Sequence, residues 1–564
     1  MNNGNGNNQP QVYKRIIQDI HEWPIAKISK NREAVIEAVV EETMQTILQK
    51  NKTEDDVHNE LAKAIYYEKI RIDGRRWKID PKDDKAFWDY VKNRLVELES
   101  HADNKIDEEK ELLRKIITRY VTEIVGNFNV RTYNFAERFV PFAFNRLLNA
   151  SHSRAFRKIF GNKKHLLRSI NLVGEIEQVR KFAKDSIIIA VPTHSSNIDS
   201  ITAGWGISAI GLPAFFYGAG LNLFSVRFLA FFMHRLGAYK VDRRKKNAIY
   251  LEALKVYSTQ VIQQGGHSLF FPGGTRSRSN HLESNLKLGL LGTALEAQRR
   301  LILNSNGENF KKIFVVPVTM NYGFILEAPE LIDEYLRNVG KERYFVPADK
   351  YSSSYKLIKF MIRFFTADAD FNIAFGKCMD IFGNTVDENG ISLNANGNEI
   401  DIRDYFKSKG ELTNDTQRDS VYTKMLSESI VAAFKINNVA MCEHVVAFTA
   451  FKLFQKKNPE LDIYGVLRIP EEFREIDKEE FKHAATQVRD KLLKLRSNGK
   501  IRIDELLEAE NIDDVIEYGV KKLGVYHAKR PLVFTKQKNI KCQNMKVLLF
   551  YHNRIENYGL EKYV

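Results

Sequence analysis

The sequence predicts an α/β protein: a central mixed sheet flanked by helices, set between helical N- and C-terminal regions. Three observations predict it. From about Leu172 to Gly383, short apolar runs rich in β-branched residues alternate with longer amphipathic segments, the texture of strand–helix units. On either side, apolar residues recur at helical spacing among many charges. Several of the short runs end in polar clusters, and ligands of open α/β sheets bind at strand ends. The expected organisation is a tail (1–11), a helical region (12–150), an α/β domain (151–383) and a mainly helical region (384–564).

Length and composition set the outer limits. A chain of 564 residues exceeds one core, so two or three domains are expected. The formal net charge is +15, which favours anionic partners: phosphorylated substrates, acidic lipid headgroups or nucleic acid. Cys378, Cys442 and Cys542 are scattered and odd in number. They suggest no disulfide framework and no zinc site, and point to a reducing compartment. Met1–Gln11 is rich in Asn and Gly and lacks the apolar core of an export signal, so it reads as a disordered tail.

In chain order, residues 12–150 read as helices without chemistry of their own. Asn145–Lys164 mixes Arg and Lys with Phe156 and Phe160. It is either a solvated face or a membrane-surface patch, where each basic residue near anionic lipid adds on the order of 1 kcal/mol. Strands are expected at 186–191, 214–217, 238–241, 268–271, 313–318 and 371–376, with helices such as Leu251–Gln264 and Leu286–Leu303 between them. Ile201–Val226 holds no charged residue. Its glycines and Pro213 divide it into a helix (about Ser200–Ile210), a turn, a short strand and a glycine loop. A surface lying in a membrane interface suits it better than a spanning helix. Asp387–Asn398 reads as a loop or linker. Nothing after Asn384 forms a catalytic constellation.

Four polar clusters punctuate the strands. In the first, Ile187–Val191 runs into Pro192, and His194 follows on the turn to a helix. Asp199 lies five residues later, near the helix start, where its carboxylate can reach back to one imidazole nitrogen. A histidine oriented in this way is a general base for a hydroxyl. Taken alone, a loop His is more often a plain polar residue. The second cluster, Gly237–Arg244, is a strand ending in basic residues, Arg243 among them. The third, Phe271–Ser279, is a glycine turn with Gly273, Gly274 and Thr275, followed by Arg276 and Arg278. Free backbone N–H groups and Arg forks suit a phosphate, although Gly-Gly is usually just a turn and such Arg pairs are usually solvated. The fourth, Val315–Tyr322, is a buried strand ending in an expected polar turn.

Together, their order and spacing resemble the glycerophospholipid acyltransferase family. His194 and Asp199 match its His-x4-Asp block, Gly237–Arg243 its second, Phe271–Ser277 its third and Val316–Val318 its fourth. The loop Tyr217–Leu223 and Arg235–Tyr239 look more like glycerol-3-phosphate and dihydroxyacetone-phosphate acyltransferases than lysophosphatidate acyltransferases. Leu548–Arg554 is similar to a segment of the large membrane-bound bacterial glycerol-3-phosphate enzymes. One position departs: Gly273 stands where the third block usually carries Glu.

The resemblance implies an O-acyltransferase with His194 and Asp199 as the catalytic pair. Arg276 and Arg278, supported by Arg243, Gly274 and Thr275, would hold the substrate phosphate, and Lys287 either assists or is a solvated helix residue. The implied substrates are glycerol-3-phosphate and an acyl thioester, acyl-CoA or acyl carrier protein, with no cofactor and no metal. Dihydroxyacetone phosphate and lysophosphatidate remain alternative acceptors. A non-catalytic basic membrane-binding protein is the reading from another class. Peripheral or monotopic contact with a phospholipid surface on a cytoplasmic membrane face is expected. Nucleic acid is not, because no strand face interleaves aromatic with basic residues. Phe215, Phe216, Phe224 and Phe228 would either line an acyl groove or pack in the core, the commoner use of such aromatics.

Overall fold

The computed structural model describes residues 13–74, 77, 79–100, 105–137, 170–224, 227–339, 371–508, 511–525 and 527–564. The expected tail at 1–11 and the basic stretch Asn145–Lys164 lie outside these residues. Seven strands form one sheet: β1 (Ile170–Gly174), β2 (Ile187–Pro192), β3 (Phe216–Gly220), β4 (Ala238–Val241), β5 (Ser268–Leu269), β6 (Ile313–Tyr322) and β7 (Phe371–Phe375). Their order is β1-β7-β6-β2-β5-β3-β4. Neighbours run parallel except β6 and β7, which pair antiparallel, so the sheet is mixed.

The centre of the sheet explains its sequence. Every residue of β2 and of β6 is buried, and strands covered on both faces read as continuous apolar runs. Their side chains alternate between two cores. Ile188, Ala190, Val316 and Val318 enter one core, while Ile187, Ile189, Val191 and Val315 enter the opposite one. Each Ile or Val buried in this way contributes about 1.5–3 kcal/mol. The strand that delivers His194 is therefore fixed from both sides.

Helices complete the layers. Before the sheet lie α1 (Arg32–Lys50), α2 (Glu54–Asp73), α3 (Asp84–Ser100) and α4 (Lys105–Ile124). Among the sheet strands come α5 (Ile176–Asp185), α6 (Asp199–Ala209), α7 (Ala248–Gln263), α8 (Leu288–Asn304) and α9 (Ala328–Val339). After it follow α10 (Asp419–Asn437), α11 (Cys442–Lys457), α12 (Lys478–Ser497), α13 (Ile512–Lys522) and α14 (Met545–His552). The N-terminal helices share a core with α7: Val39, Leu113 and Ile117 pack with Ile249, Ala253 and Val256. Helices α11 and α14 share the first sheet core, α8 and α10 the second.

Several expectations shift by a few residues, each for a tertiary reason. β3 runs through Gly218–Gly220, expected as a loop. The Tyr239 ring on β4 lies about where a Cβ on Gly218 would project, 3.0 Å from its hydroxyl, so glycine lets the strands close. β6 continues through Thr319–Tyr322, expected as a polar turn. There it pairs with β7, and Thr319 Oγ1 donates to the Asn437 carbonyl at 2.5 Å. β1 was not anticipated. Asp387–Asn398 is no simple linker, because 385–386, 392–393 and 399–400 form a small antiparallel sheet. Its turns close on Asp387 and Asn394, whose side-chain oxygens accept from backbone N–H groups two and four residues on. In the uncharged stretch, α6 stops at Gly211 (φ +75°). The Leu212 N–H bonds back to the Ile207 carbonyl there, a left-handed helix cap. Among the described residues, no helix is long and apolar enough to cross a membrane.

Candidate active site

The site starts where β2 gives way to α6. Thr193 still continues the ladder: its N–H donates to the Val318 carbonyl at 2.9 Å, and its Oγ1 accepts from Met320 N at 3.0 Å. The backbone then turns. The His194 N–H donates to Glu283 Oε1 at 2.6 Å, and the His194 carbonyl accepts from Ser277 N at 2.7 Å. The first and third polar clusters are thus bonded to one another through the backbone of His194.

Asp199, fully buried at the first turn of α6, organises the loop. Its Oδ2 accepts from the N–H groups of Ser195 and Ser196, at 2.5 and 2.8 Å, and lies 2.8 Å from His194 Nδ1. Its Oδ1 accepts from the Tyr322 hydroxyl. Four polar groups thus converge on one carboxylate at a helix N-terminus. An ionised carboxylate only accepts, so Nδ1 of His194 carries the hydrogen and Nε2 offers its lone pair. Nε2 has no hydrogen-bond partner among the described residues, and the side chain is 17% exposed. The ring stacks on Phe271, centroids 4.4 Å apart, which fixes its plane. Burial, and next the charge of Asp199, push the Tyr322 phenol well up, so it stays a donor.

Two buried acids brace the loop, and neither was singled out from sequence. Burial pushes Glu283 up to about 7, against the pull of the His194 N–H. Glu327 accepts from the Asn197 N–H at 2.8 Å and from the Ser196 hydroxyl, and its Oε1 lies 3.5 Å from Arg276 Nη1. Burial raises its carboxyl, and Arg276 opposes that shift. Glu327 therefore ties Arg276 to the His194 loop. Glu283 lies in ordinary polar surroundings in the sequence, whereas Glu327 stands in the apolar run Phe324–Pro329, a signal of enclosure that could have found it.

The expected phosphate residues have different fates. Arg243 is exposed at the end of β4 and enters no ion pair among the described residues. Desolvation, and then the like charge of Arg276, hold its guanidinium below the usual value. The neighbours of Arg243 turn away. Arg244 pairs with Asp80 and Asp242 and stacks on Trp77, while Lys245 pairs with Glu123. Arg278 is exposed and pairs with Glu334 of α9 at 2.8 Å. Gly274 (φ +74°) closes a turn, and its N–H donates to the Phe271 carbonyl at 3.0 Å. That N–H, expected to be free for phosphate, is already used. Thr275 is exposed beside it, and the Lys287 stem runs past the Cα of Gly274. Phe215, Phe216 and Phe224 are core residues, each at most 4% exposed, while the side chain of Phe228 lies outside the described ones.

Known proteins place this site in context. An acyltransferase family model matches residues 173–321, the stretch that carries β2 through β6 and the His194 loop. The glycerol-3-phosphate acyltransferase of Histophilus somni (strain 129Pt) is 27% identical over 236 residues. The match covers 42% of this chain and 25% of that relative, so the chain spans only a quarter of its length. Over its α/β core, the chain is thus similar to the acyltransferase family and to a glycerol-3-phosphate acyltransferase.

Proposed function

We propose that the protein is a glycerol-3-phosphate O-acyltransferase, with His194 as the general base. The observation that carries the proposal is the His194–Asp199 pair: one ring nitrogen committed to a buried carboxylate, the other without a partner among the described residues. Nε2 takes the proton from an acceptor hydroxyl as that oxygen attacks the carbonyl carbon of an acyl thioester. The C–O bond forms and the carbonyl electrons move onto oxygen. As the intermediate collapses, the C–S bond breaks and the imidazolium returns its proton to the leaving thiolate. A positioned base contributes about 10²–10⁴-fold, and holding the two substrates together supplies much of the rest. Arg276 and Arg243 hold the phosphate, which aims the hydroxyl at Nε2, and Arg278 joins them by exchanging its exposed Glu334 partner for the anion.

The donor is acyl-CoA or acyl carrier protein, and the acyl chain meets the protein at a membrane surface. The test is acyl transfer by the purified chain from a long-chain acyl-CoA or acyl carrier protein. Glycerol-3-phosphate, dihydroxyacetone phosphate and lysophosphatidate are offered separately, beside His194→Ala. Consumption of glycerol-3-phosphate by the wild type alone is the expected result. Transfer only to lysophosphatidate would move the acceptor assignment while leaving the base in place.

A further inference from the structure

The end of α14 and the residues that follow it have no part in the chemistry above, yet they reach the back of the site. Arg554 is 3% exposed. Its guanidinium donates to the Met320 carbonyl at 2.8 Å, to Asn321 Oδ1 at 2.6 and 3.1 Å, and to Asn438 Oδ1 at 2.8 Å. All of these acceptors are neutral. A buried cation without a direct counter-ion is costly. Burial holds the guanidinium below its usual value, opposed in part by the nearby Glu283 carboxyl.

The same short segment is tied to each wall of the site. Met320, whose carbonyl Arg554 holds, donates its own N–H to Thr193 Oγ1 at 3.0 Å, next to His194. Asn553 Nδ2 donates to the Ser279 carbonyl at 2.9 Å, and Glu556 Oε2 lies 2.8 Å from His281 Nε2. These two contacts pin the far end of the arginine turn. Tyr551 Oη accepts from the Ile325 N–H at 3.0 Å, two residues before Glu327. A helix end that merely covered β6 could do so with apolar side chains at lower cost.

We propose that Tyr551–Glu556 is a clamp that sets the geometry of the site, with Arg554 as its central positioning residue. The clamp rests on the reading of His194 as the base. It touches no reacting atom, and its effect passes through Met320 and Asn321.

The test compares the full chain with Arg554→Met and Arg554→Lys by backbone hydrogen exchange and by acyl-transfer kinetics. In a folded Arg554→Met protein, exchange at 193–197 and 276–283 should accelerate more than tenfold, while α1 stays unchanged. The value of kcat should fall on the order of 10²-fold, as expected for a misplaced catalytic group, with KM for the phosphorylated acceptor little altered. Arg554→Lys should recover part of the loss. Wild-type exchange at both segments, or an equal loss in both variants, would overturn the clamp. Should Arg554→Met fail to fold, Asn553→Ala and Glu556→Gln each remove one tie and leave the guanidinium in place. Either should loosen 276–283, and unchanged exchange there sinks the proposal. Exchange needs no turnover, so a wild type that transfers no acyl group would refute the base assignment while still leaving the clamp measurable.

Discussion

A histidine becomes a base for an alcohol when one ring nitrogen is committed and the other is not, and His194 meets that condition through Asp199. Replacing His194 by Ala should lower kcat by about 10²–10⁴-fold, read by steady-state acyl transfer. Asp199→Asn should cost on the order of 10²-fold or more, because an amide cannot receive four donors and can offer His194 the wrong group. Glu283 makes a separate prediction. Its carboxyl titrates near 7 in the folded protein, against about 4.3 in an unfolded chain. The folded state therefore holds the extra proton between these values, and stability falls as pH rises through that window. Glu283→Gln removes the titration. Relative to wild type, the variant should gain up to about 3 kcal/mol between pH 4 and 8, measured by urea unfolding at both pH values. A constant difference would show that Glu283 does not titrate there. The His194–Asp199 pair was legible in the sequence because its spacing is local and follows a buried strand. Glu283 was not, since its neighbours in the chain are polar, and the apolar run Phe324–Pro329 around Glu327 marks burial but not its partner.

At the scale of the element, the turn after β5 explains the departure at Gly273. A Cβ placed on Gly273 would stand 2.9 Å from Glu283 Cγ and 3.3 Å from its Oε1. The space that a side chain at 273 would need is filled by a carboxylate from ten residues further on. Gly273→Glu alone should therefore overpack the turn, at a cost of about 1–3 kcal/mol, and reduce activity. Pairing it with Glu283→Ala should restore much of both. A double-mutant cycle on thermal stability and kcat measures the coupling, and simple additivity would contradict it. Strand legibility divides in the same way. β2 was evident from Ile187–Val191, a run whose burial on both faces needs no partner to recognise. The last four residues of β6 were not, because Thr319 and Asn321 read as turn residues until Asn437 and Arg554 satisfy them. The basic cluster 243–245 showed its charge in sequence but not its division, since Asp80 and Glu123 lie far away in the chain.

At the scale of the molecule, the C-terminal region has one core cluster of its own, around Phe448, Val488 and Leu492, but both flanking regions also share cores with the sheet. Phe216, Tyr239 and α7 are buried against the N-terminal helices, while the sheet shares a core with α11 and α14. A fragment limited to 151–383 would expose those faces, so it should be insoluble or molten when expressed alone. The full chain should show one main cooperative thermal transition by calorimetry. A soluble, well-folded 151–383 fragment would contradict this reading. The helical texture of the flanks was plain from periodicity, but their role was not: apolar stripes reveal that something is covered, never what. The placement of Arg554 also has a consequence in time. The ribosome delivers it about 360 residues after His194, and at roughly 5–20 residues per second that is an interval of about 20–70 s. Throughout that interval the nascent chain carries its histidine motif without the backing that sets its geometry. On the reading proposed above, a product broken off in that interval would keep the histidine motif and lack the contacts that hold it.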